Sequence, residues 1–430
     1  MTWRNWGRTF SAEPAGVVVP TSVEELQRLV TAQRGTGLGV KPIGASHSFS
    51  AVAQPEGFQL RLDHFRGLVQ VDSARRRATF GAGTHLHQVA ELLEPFGLAL
   101  PNMGDIDRQT IAGAISTGTH GTGIGHPSIG ANVTAVRLVN GKGELVEVSE
   151  DVNYELLPAV RLGLGALGVL VEVEIQCVPE FRLDVVEATE PRERVIEEWD
   201  ARIRGNDHFE FFWFPHTDVV TTKTNNRTER DARPLPVAKR WFDETVTGGA
   251  LHGAVSEVGA RIPAATPAIN RLAAPLMERQ PFVDRSDRVF VSRRPVRFRE
   301  MEFGVPIDAV RPVLREIEQL FERRGHRVTF PIEVRAAAAD TAMLSTAYER
   351  EVAYIALHTY VRQDPRALFA DAQRIFLAHD GRPHWGKMHS VSHERFMEQL
   401  PRFEDFLAVR DRYDPDRVFA NEYTRRVLGE

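Results

Sequence analysis

Short apolar runs alternate with helical patterns over roughly the first 180 residues. Residues 15–20 predict a strand, and residues 21–26 then supply an N-cap with a capping-box acid three residues later. Apolar residues from Val23 to Val30 recur at helical spacing. Further strands are predicted at residues 39–44, 59–62, 68–71, 78–83, 133–139, 144–148 and 169–175, with a helix over residues 85–96. This alternation predicts an α+β or α/β domain that ends near residue 180.

The pattern beyond residue 180 is more mixed. Phe330–Arg335 and Tyr354–Tyr360 have the composition and alternation of strands. The proline-rich segments Pro234–Pro236 and Pro263–Pro275 predict loops or linkers. Asp414–Phe419 predicts the start of a short helix followed by a tail. A second domain is therefore expected over residues 181–400.

Composition excludes several classes of protein. Hydrophobic residues make up 42% and charged residues 26%, which is ordinary for a globular chain and excludes a disordered or fibrous one. A net charge of −5 gives no basic bias, so no nucleic-acid partner is expected. The single cysteine, Cys177, allows no intramolecular disulfide and no cysteine metal cluster. No apolar leader follows Met1 and no stretch reaches ~20 apolar residues, which predicts a cytoplasmic protein without a membrane partner.

Two glycine-rich segments, residues 44–48 and 113–123, are candidates for binding phosphate through bare backbone N–H groups, or for tight turns only. No Walker A run is present. Gly118–Gly123 has the wrong order for a dinucleotide fingerprint, and a strand follows it where a helix is required. An ordinary nicotinamide enzyme is therefore disfavoured, while the two loops could together wrap an extended pyrophosphate cofactor.

Three polar clusters mark the second half of the chain. Glu333 and Arg335 are two residues apart on a predicted strand, so they share a face. Either they form a salt bridge on a solvated face, or the carboxylate orients the guanidinium over a polar ligand. His358 and Tyr360 share a face of the next strand. The turn His384–Lys387 holds one of only five lysines among 53 basic residues. Together the clusters suggest a wall that binds a polyol.

The sequence resembles a known family at several of these motifs. The segments 44–48, 116–123 and 384–387, with 207–215 and 414–419, look like the sugar-1,4-lactone oxidases. These belong to the vanillyl-alcohol-oxidase-type flavoproteins, and alditol oxidases are near relatives. The resemblance spans nearly the whole chain. It implies an α+β fold with a two-subdomain FAD-binding module over residues 1–180. A cap domain with an antiparallel sheet (181–400) and a C-terminal tail that returns to the FAD domain (401–430) would follow.

The resemblance also implies roles for individual residues. His47 matches the histidine that carries FAD covalently through the flavin 8α-methyl group. Glu333, Arg335 and Lys387 match polar groups on the substrate side, and His358 is a further catalytic candidate on that side. No metal is implied. The other positions that match cofactor-binding loops are Pro42, Ile43, Gly44, Ala45, Ser46, Ser48, Gly104, Asp105, Thr110, Gly113, Thr117, Gly118, Thr119, His120, Leu170 and His384.

The implied reaction is FAD-dependent oxidation of an aldono-1,4-lactone, of the L-gulono or D-arabinono type, with O2 reduced to H2O2. Hydride would pass to flavin N5. Arg335 and Lys387 would stabilise charge on the substrate oxygen, while Glu333 orients them or relays the proton. Asp105 departs from the serine of alditol oxidases and favours a lactone, and Gly104 implies an oxidase.

Four alternatives stay open from the sequence. The protein could be an alditol oxidase acting on xylitol- or sorbitol-like polyols, or a lactone dehydrogenase with another electron acceptor. It could also be a flavin-free carbohydrate-binding protein. Cys177 could be a second flavin link, although its position in a strand-like run favours a buried thiol. The oligomeric state is left open.

Overall fold

The computed structural model describes residues 2–430, without the side chains of residues 276 and 277. The strands of the N-terminal part are β1 Trp3–Arg4, β2 Ser11–Ala12, β3 Gly16–Val18, β4 Val40–Ile43, β5 Phe58–Arg61, β6 Leu68–Asp72, β7 Arg77–Gly81, β8 Leu98–Ala99, β9 Val133–Asn140, β10 Leu145–Ser149, β11 Gly168–Gln176 and β12 Val178–Pro179. Its α-helices are α1 Val23–Gln33, α2 Leu86–Leu93, α3 Ile111–Ser116 and α4 Leu157–Val160. Short 3₁₀ turns cover residues 51–53, 94–96, 129–132 and 154–156.

Two sheets organise this part. In the described chain, β3, β5 and β4 form a parallel three-stranded sheet, and β10, β9, β11, β7 and β6 form an antiparallel five-stranded sheet in that order. Helix α1 begins as the sequence predicts, since the Ser22 side chain accepts a hydrogen bond from Glu25 N. The Glu25 carboxylate in turn accepts from Thr21 N at 2.7 Å. Leu26 and Val30 of α1 are fully buried.

The C-terminal part contains eight strands within the described residues: β13 Arg182–Pro191, β14 His208–Trp213, β15 Val219–Thr228, β16 Phe282–Arg285, β17 Phe298–Pro306, β18 Ile332–Ala337, β19 Val352–Tyr360 and β20 Arg382–Pro383. Its α-helices are α5 Arg192–Glu197, α6 Trp199–Arg204, α7 Val237–Trp241, α8 His252–Arg261, α9 Thr266–Ala273, α10 Ser286–Phe290, α11 Val310–Arg324, α12 Arg366–Ala378, α13 His393–Gln399, α14 Phe403–Tyr413 and α15 Glu422–Leu428. A π-helix covers Phe242–Leu251, and 3₁₀ turns cover 263–265, 274–277 and 307–309.

The C-terminal strands form one antiparallel sheet in the order β16-β13-β15-β14-β18-β19-β17-β20. This sheet confirms the α+β class and the antiparallel sheet expected for the second domain. The order also explains how distant motifs meet. Strands β18, β19, β17 and β20 are consecutive neighbours, so the polar clusters of residues 333–335, 358–360 and 384–387 lie along one stretch of the sheet.

Two local predictions are wrong. Pro263–Pro275 is helical, because each proline that begins a turn here occupies one of the first two helical positions, where its missing N–H has no partner to lose. Asp414–Phe419 is a turn between α14 and α15 and does not begin a helix. The Asp414 carboxylate holds this turn by accepting hydrogen bonds from Val418 N and Phe419 N.

The C-terminal segment packs on strand β4 of the N-terminal part. Val40 N donates to Val418 O at 2.8 Å, and the buried Lys41 ammonium donates to Phe419 O at 3.0 Å. Burial lowers the pKa of Lys41 to about 8, although the Asp414 and Glu56 carboxylates partly offset this effect. The domain limits 1–180, 181–400 and 401–430 remain a prediction. The packing of the C-terminal segment on β4 is consistent with them. Within residues 2–430, no helix combines the length and apolar character that crossing a membrane requires.

Candidate active site

A cavity that is open to solvent lies where the eight-stranded sheet faces loops of the N-terminal part. All four residues predicted to be catalytic line it: Glu333, Arg335, His358 and Lys387. His47 and Asp105, from loops of the N-terminal part, line it as well. The structure therefore brings together residues that are up to 340 positions apart in the chain, as a binding site for a small polar molecule requires.

The pair on strand β18 is buried. Glu333 and Arg335 point to the same side of the strand and are only 4% and 8% exposed. Arg335 Nε donates to Glu333 Oε1 at 2.6 Å, and its Nη2 contacts the same oxygen. This burial rules out the salt bridge on a solvated face that the sequence left open. The carboxylate instead orients the guanidinium inside the cavity.

Arg335 is shared among several carboxylates. Its Nη2 lies 3.7 Å from Asp105 Oδ2, and its Nε lies 3.4 Å from Glu210 Oε2. Arg294 Nε donates to Asp105 Oδ2 at 2.9 Å. Burial alone would raise the pKa of Asp105, but the two guanidinium groups more than offset it and hold this pKa well below its usual range. Charges this deep are tolerable only because they are paired.

The pKa of Glu333 is shifted in the opposite direction from that of Asp105. Burial raises the pKa of Glu333 above its usual value, the Arg335 guanidinium offsets only part of this, and the Asp105 carboxylate adds to it. A carboxyl group with a raised pKa is suited to accepting or passing on a proton near neutral pH. Among the two cavity carboxylates of this cluster, Glu333 is therefore the better proton acceptor, while Asp105 stays a fixed negative charge.

Lys387 lies between two carboxylates of strand β17. Its Nζ is 2.5 Å from Glu300 Oε1 and 3.6 Å from Glu302 Oε2. Burial lowers the pKa of Lys387, but these two carboxylates more than offset it, and the net pKa is above its ordinary value. Lys387 is therefore a cation throughout the neutral range and acts as a hydrogen-bond donor there.

The side chains of His120, Glu302 and His384 are buried together. One nitrogen or carboxylate oxygen of each lies within 4.8 Å of those of the other two. Gly386 N donates to His384 Nδ1 at 3.0 Å, which leaves the proton of the neutral ring on Nε2. The Lys387 ammonium also occupies one side of Glu302. A protonated nitrogen and an adjacent ammonium disfavour a cation, so we interpret the group as a hydrogen-bonded cluster. The absence of a metal stays a prediction.

A second cleft continues from the first cavity through the two glycine-rich loops. The two spaces share His47, Ser48, Gln109 and Thr117 as wall residues. The loops pack closely, because a Cβ at Gly44 would lie 2.4 Å from Thr110 Oγ1. Beyond them the cleft is lined by small and apolar residues, among them Ala53, Gly165 and Leu170. A lining that runs over both glycine-rich loops suits an extended ligand.

The loop before the cavity presents the His47 ring. Ser46 has the left-handed φ of 57°, and its hydroxyl accepts a hydrogen bond from Trp3 Nε1 at 2.9 Å. Trp6 stacks on the His47 ring at a centroid distance of 5.6 Å. Burial lowers the pKa of His47 to about 4, and the Lys387 ammonium contributes to this. The imidazole is therefore neutral at neutral pH, and His47 lines both cavities.

Comparison with known proteins supplies the assignment. Residues 173–427 match the family described as D-arabinono-1,4-lactone oxidase. The chain belongs to the sugar-1,4-lactone oxidase family. Residues 14–149 match the family described as an FAD binding domain. The family membership confirms the resemblance seen in the sequence and makes the protein an FAD-dependent oxidoreductase of the vanillyl-alcohol-oxidase type.

Several relatives align along almost the full length of this chain. The L-gulono-1,4-lactone dehydrogenase of Mycobacterium tuberculosis is 38% identical over 99% of each chain. The L-gulonolactone oxidase of Scyliorhinus torazame is 33% identical, over 99% of this chain and 98% of its own. The crystal structure of cholesterol oxidase from B. sterolicum has a TM-score of 0.81 at 16% identity, covering 99% of this chain and 96% of that one. The last similarity shows a common fold.

The second cleft fits the FAD of this family. Its walls of small residues let a diphosphate approach backbone N–H groups, and the rest of its lining is largely apolar. Most of the predicted cofactor residues line it: Pro42, Ile43, Gly44, Ala45, Ser46, His47, Ser48, Thr110, Gly113, Thr117 and Leu170. Gly104, Asp105, Thr119, His120 and His384 line the first cavity instead. Gly118 lines neither, and its φ of +77° beside Leu162 makes it a turn residue.

The sequence did not single out several residues of the candidate site. Glu300 and Glu302 were missed, although they lie two positions apart on either side of Met301 in one strand, the same spacing that singled out Glu333 and Arg335. Glu210 was also missed, although it lies in the segment 207–215 that carries the family resemblance. Its Oε1 lies 3.3 Å from the Nζ of Lys223. Arg294 follows another arginine in a loop, and no local pattern distinguishes it.

Proposed function

We propose that the protein oxidises an aldono-1,4-lactone at a C–H bond of a hydroxylated carbon and uses O2 as electron acceptor, with H2O2 as product. The observation that carries this proposal is the cavity wall of Glu333, Arg335 and Lys387, which is continuous with the FAD cleft. These side chains offer donors, cations and a proton acceptor to the oxygens of a sugar ring. The names of the relatives, L-gulonolactone oxidase and L-gulono-1,4-lactone dehydrogenase, support the substrate class.

Bound FAD would supply hydride acceptance at flavin N5. Arg335 and Lys387 would hydrogen-bond the substrate oxygen that loses its proton and stabilise its developing negative charge. Because Lys387 stays protonated, it does not serve as the base. Glu333 would accept or relay that proton, since its pKa is raised and it contacts Arg335 directly. His358 would contribute to the wall through Glu300, from which its Nε2 lies 3.5 Å away.

We propose further that His47 carries FAD covalently. Such a bond requires a neutral imidazole nitrogen with a free lone pair. The lowered pKa of His47 keeps its ring neutral. Its position where the FAD cleft meets the charged cavity, stacked on Trp6, supports the same role.

The proposal that O2 is the electron acceptor rests on Gly104. Gly104 lines the cavity, and a Cβ at this position would lie 3.1 Å from His120 O and 3.4 Å from Thr119 Cγ2, so this wall has little room for a side chain. A glycine here places no side chain between the cavity and an approaching O2 molecule. A dehydrogenase that uses another acceptor is the second candidate, because the relative at 38% identity carries that name.

Anaerobic flavin reduction tests the substrate class independently of the acceptor. The flavin absorbance near 450 nm should bleach on adding L-gulono-1,4-lactone or D-arabinono-1,4-lactone, and should not change with xylitol or sorbitol. Bleaching by the polyols would assign the protein to alditol oxidation. The absence of any flavin band in the purified protein would favour the flavin-free binding protein.

A further inference from the structure

Two acidic side chains of one strand surround the Lys387 ammonium unequally. Glu300 and Glu302 lie two positions apart on β17, so both face the cavity. The Lys387 Nζ is 2.5 Å from Glu300 and 3.6 Å from Glu302. Met388 N also donates to Glu300 O at 2.9 Å, which holds the backbone after Lys387 against the same residue. Glu300 therefore makes the direct contact, and Glu302 is a more distant charge.

Glu300 has a second basic neighbour across the sheet. It is the register partner of His358 on β19, and His358 Nε2 lies 3.5 Å from its Oε1. His358 Nδ1 lies 3.0 Å from Pro331 O, which can only accept, so this nitrogen carries a proton. Glu300 is 4% exposed. Its buried carboxylate thus lies between the Lys387 ammonium and the His358 ring and is in contact with both.

We propose that Glu300 is a positioning residue that keeps Lys387 protonated and aimed into the cavity. Lys387 then acts on the substrate as a fixed cation and hydrogen-bond donor. The structural part of this inference concerns the Glu300–Lys387 pair itself. The part about substrate rests on the proposed function.

Other groups that face Lys387 set the background for this effect. Glu302 from β17 and Asp105 from the N-terminal part are negative. His47, held neutral, and the ring of Phe49, 5.5 Å from Nζ, add no charge. Burial disfavours the ammonium. Neutralising Glu300 removes the nearest of the three negative charges that stabilise the ammonium. The effect of burial is then less well offset, and the pKa of Lys387 should fall.

Lysine side-chain NMR measures this directly, because the chain has only five lysines. The flavin-loaded protein labelled with [15N]lysine gives one Nζ signal per lysine, and the K387R spectrum identifies that of Lys387. We expect E300Q to lower the pKa of Lys387 by about one unit or more and E302Q to lower it less. E316Q, at a half-exposed surface carboxylate paired with His379, is the matched control and should leave it unchanged.

The pH profile of lactone oxidation is the second readout. In E300Q the alkaline limb of kcat/KM should move to lower pH by the same amount as the pKa of Lys387, whereas a purely structural role would lower the rate at every pH alike. An unchanged Lys387 pKa in E300Q, or a larger shift in E302Q, would overturn the proposal. E300D, which retracts the carboxylate, should give a smaller shift, and it replaces E300Q should that variant not fold. If no lactone reacts, the proposed function is wrong. The NMR titration still tests whether Glu300 keeps Lys387 protonated.

Discussion

Asp105 and Arg335 form an ion pair in the wall of the active-site cavity, with Asp105 Oδ2 3.7 Å from Arg335 Nη2. The aspartate comes from a loop of the N-terminal part and the arginine from strand β18 of the eight-stranded sheet. Ser292 N donates to Asp105 O at 3.0 Å, and Arg294 donates to its carboxylate. The charge pattern of the cavity is thus assembled from both halves of the chain, and Asp105 lies at their junction.

The Asp105 charge should tune Glu333. The Asp105 carboxylate adds to the raised pKa of Glu333, so D105N should lower that pKa. A proton acceptor must be ionised to work, and the acid limb of kcat/KM should therefore move to lower pH in D105N. Rate profiles between pH 4 and 8 measure the shift. E333Q should lose this limb together with most of the activity, and an acid limb that is unchanged in E333Q would contradict the role of Glu333.

Lys387 should matter for turnover and not for flavin retention. K387M removes a buried donor to the developing oxyanion and should reduce kcat by about 10²–10³. K387R keeps the charge and should retain more activity than K387M. Flavin content, measured by the ratio of absorbance near 450 nm to that at 280 nm, should match the parent in both. Equal turnover of K387M and the parent would refute the assigned role.

The His47 linkage predicts a simple chemical difference. In the parent, flavin should stay with the protein pellet after acid precipitation, because a covalent bond survives unfolding. H47A should release its flavin to the supernatant. Trp6, which stacks on His47, offers a matched control, since W6F keeps the histidine and should keep the flavin attached. Flavin that remains in the pellet of H47A would place the linkage elsewhere.

Lys41 should make stability depend on pH. Its folded pKa of about 8 lies below the usual 10.5, so the folded state binds fewer protons than the unfolded state between these values. The contribution of Lys41 therefore becomes more favourable as pH rises, by up to about 3 kcal/mol between pH 7 and 10.5. The difference in the free energy of unfolding between the parent and K41M should grow in favour of the parent over this range. A constant difference would show that Lys41 is not strongly perturbed.

Local periodicity predicted much of what the structure contains. The cap of α1 and the shared face of Glu333 and Arg335 depend only on neighbours in sequence, so they could be derived from the chain itself. The helix over Thr266–Ala273 was missed, since its prolines suggested a loop and only the structure shows that they occupy first-turn positions.

The charge pattern of the site could not be predicted in the same way. The contacts of Asp105 with Arg294 and Arg335 join residues about 190 and 230 positions apart, and no periodicity links them. The order β18-β19-β17-β20 brings Glu300 between His358 and Lys387, and strand order is a tertiary property. The four predicted catalytic side chains of the wall could thus be identified from the sequence. Their contacts with other charged residues could be identified only in the folded chain.

Peroxide release in air tests the proposed function most directly. The flavin-loaded protein is offered L-gulono-1,4-lactone and D-arabinono-1,4-lactone beside xylitol and sorbitol, with K387M as the matched inactive control. We expect H2O2 in step with oxygen consumption for a lactone, none for the polyols, and little for K387M. Lactone turnover that requires an artificial dye and yields no peroxide would contradict oxygen as the acceptor, and peroxide from the polyols alone would contradict the substrate class.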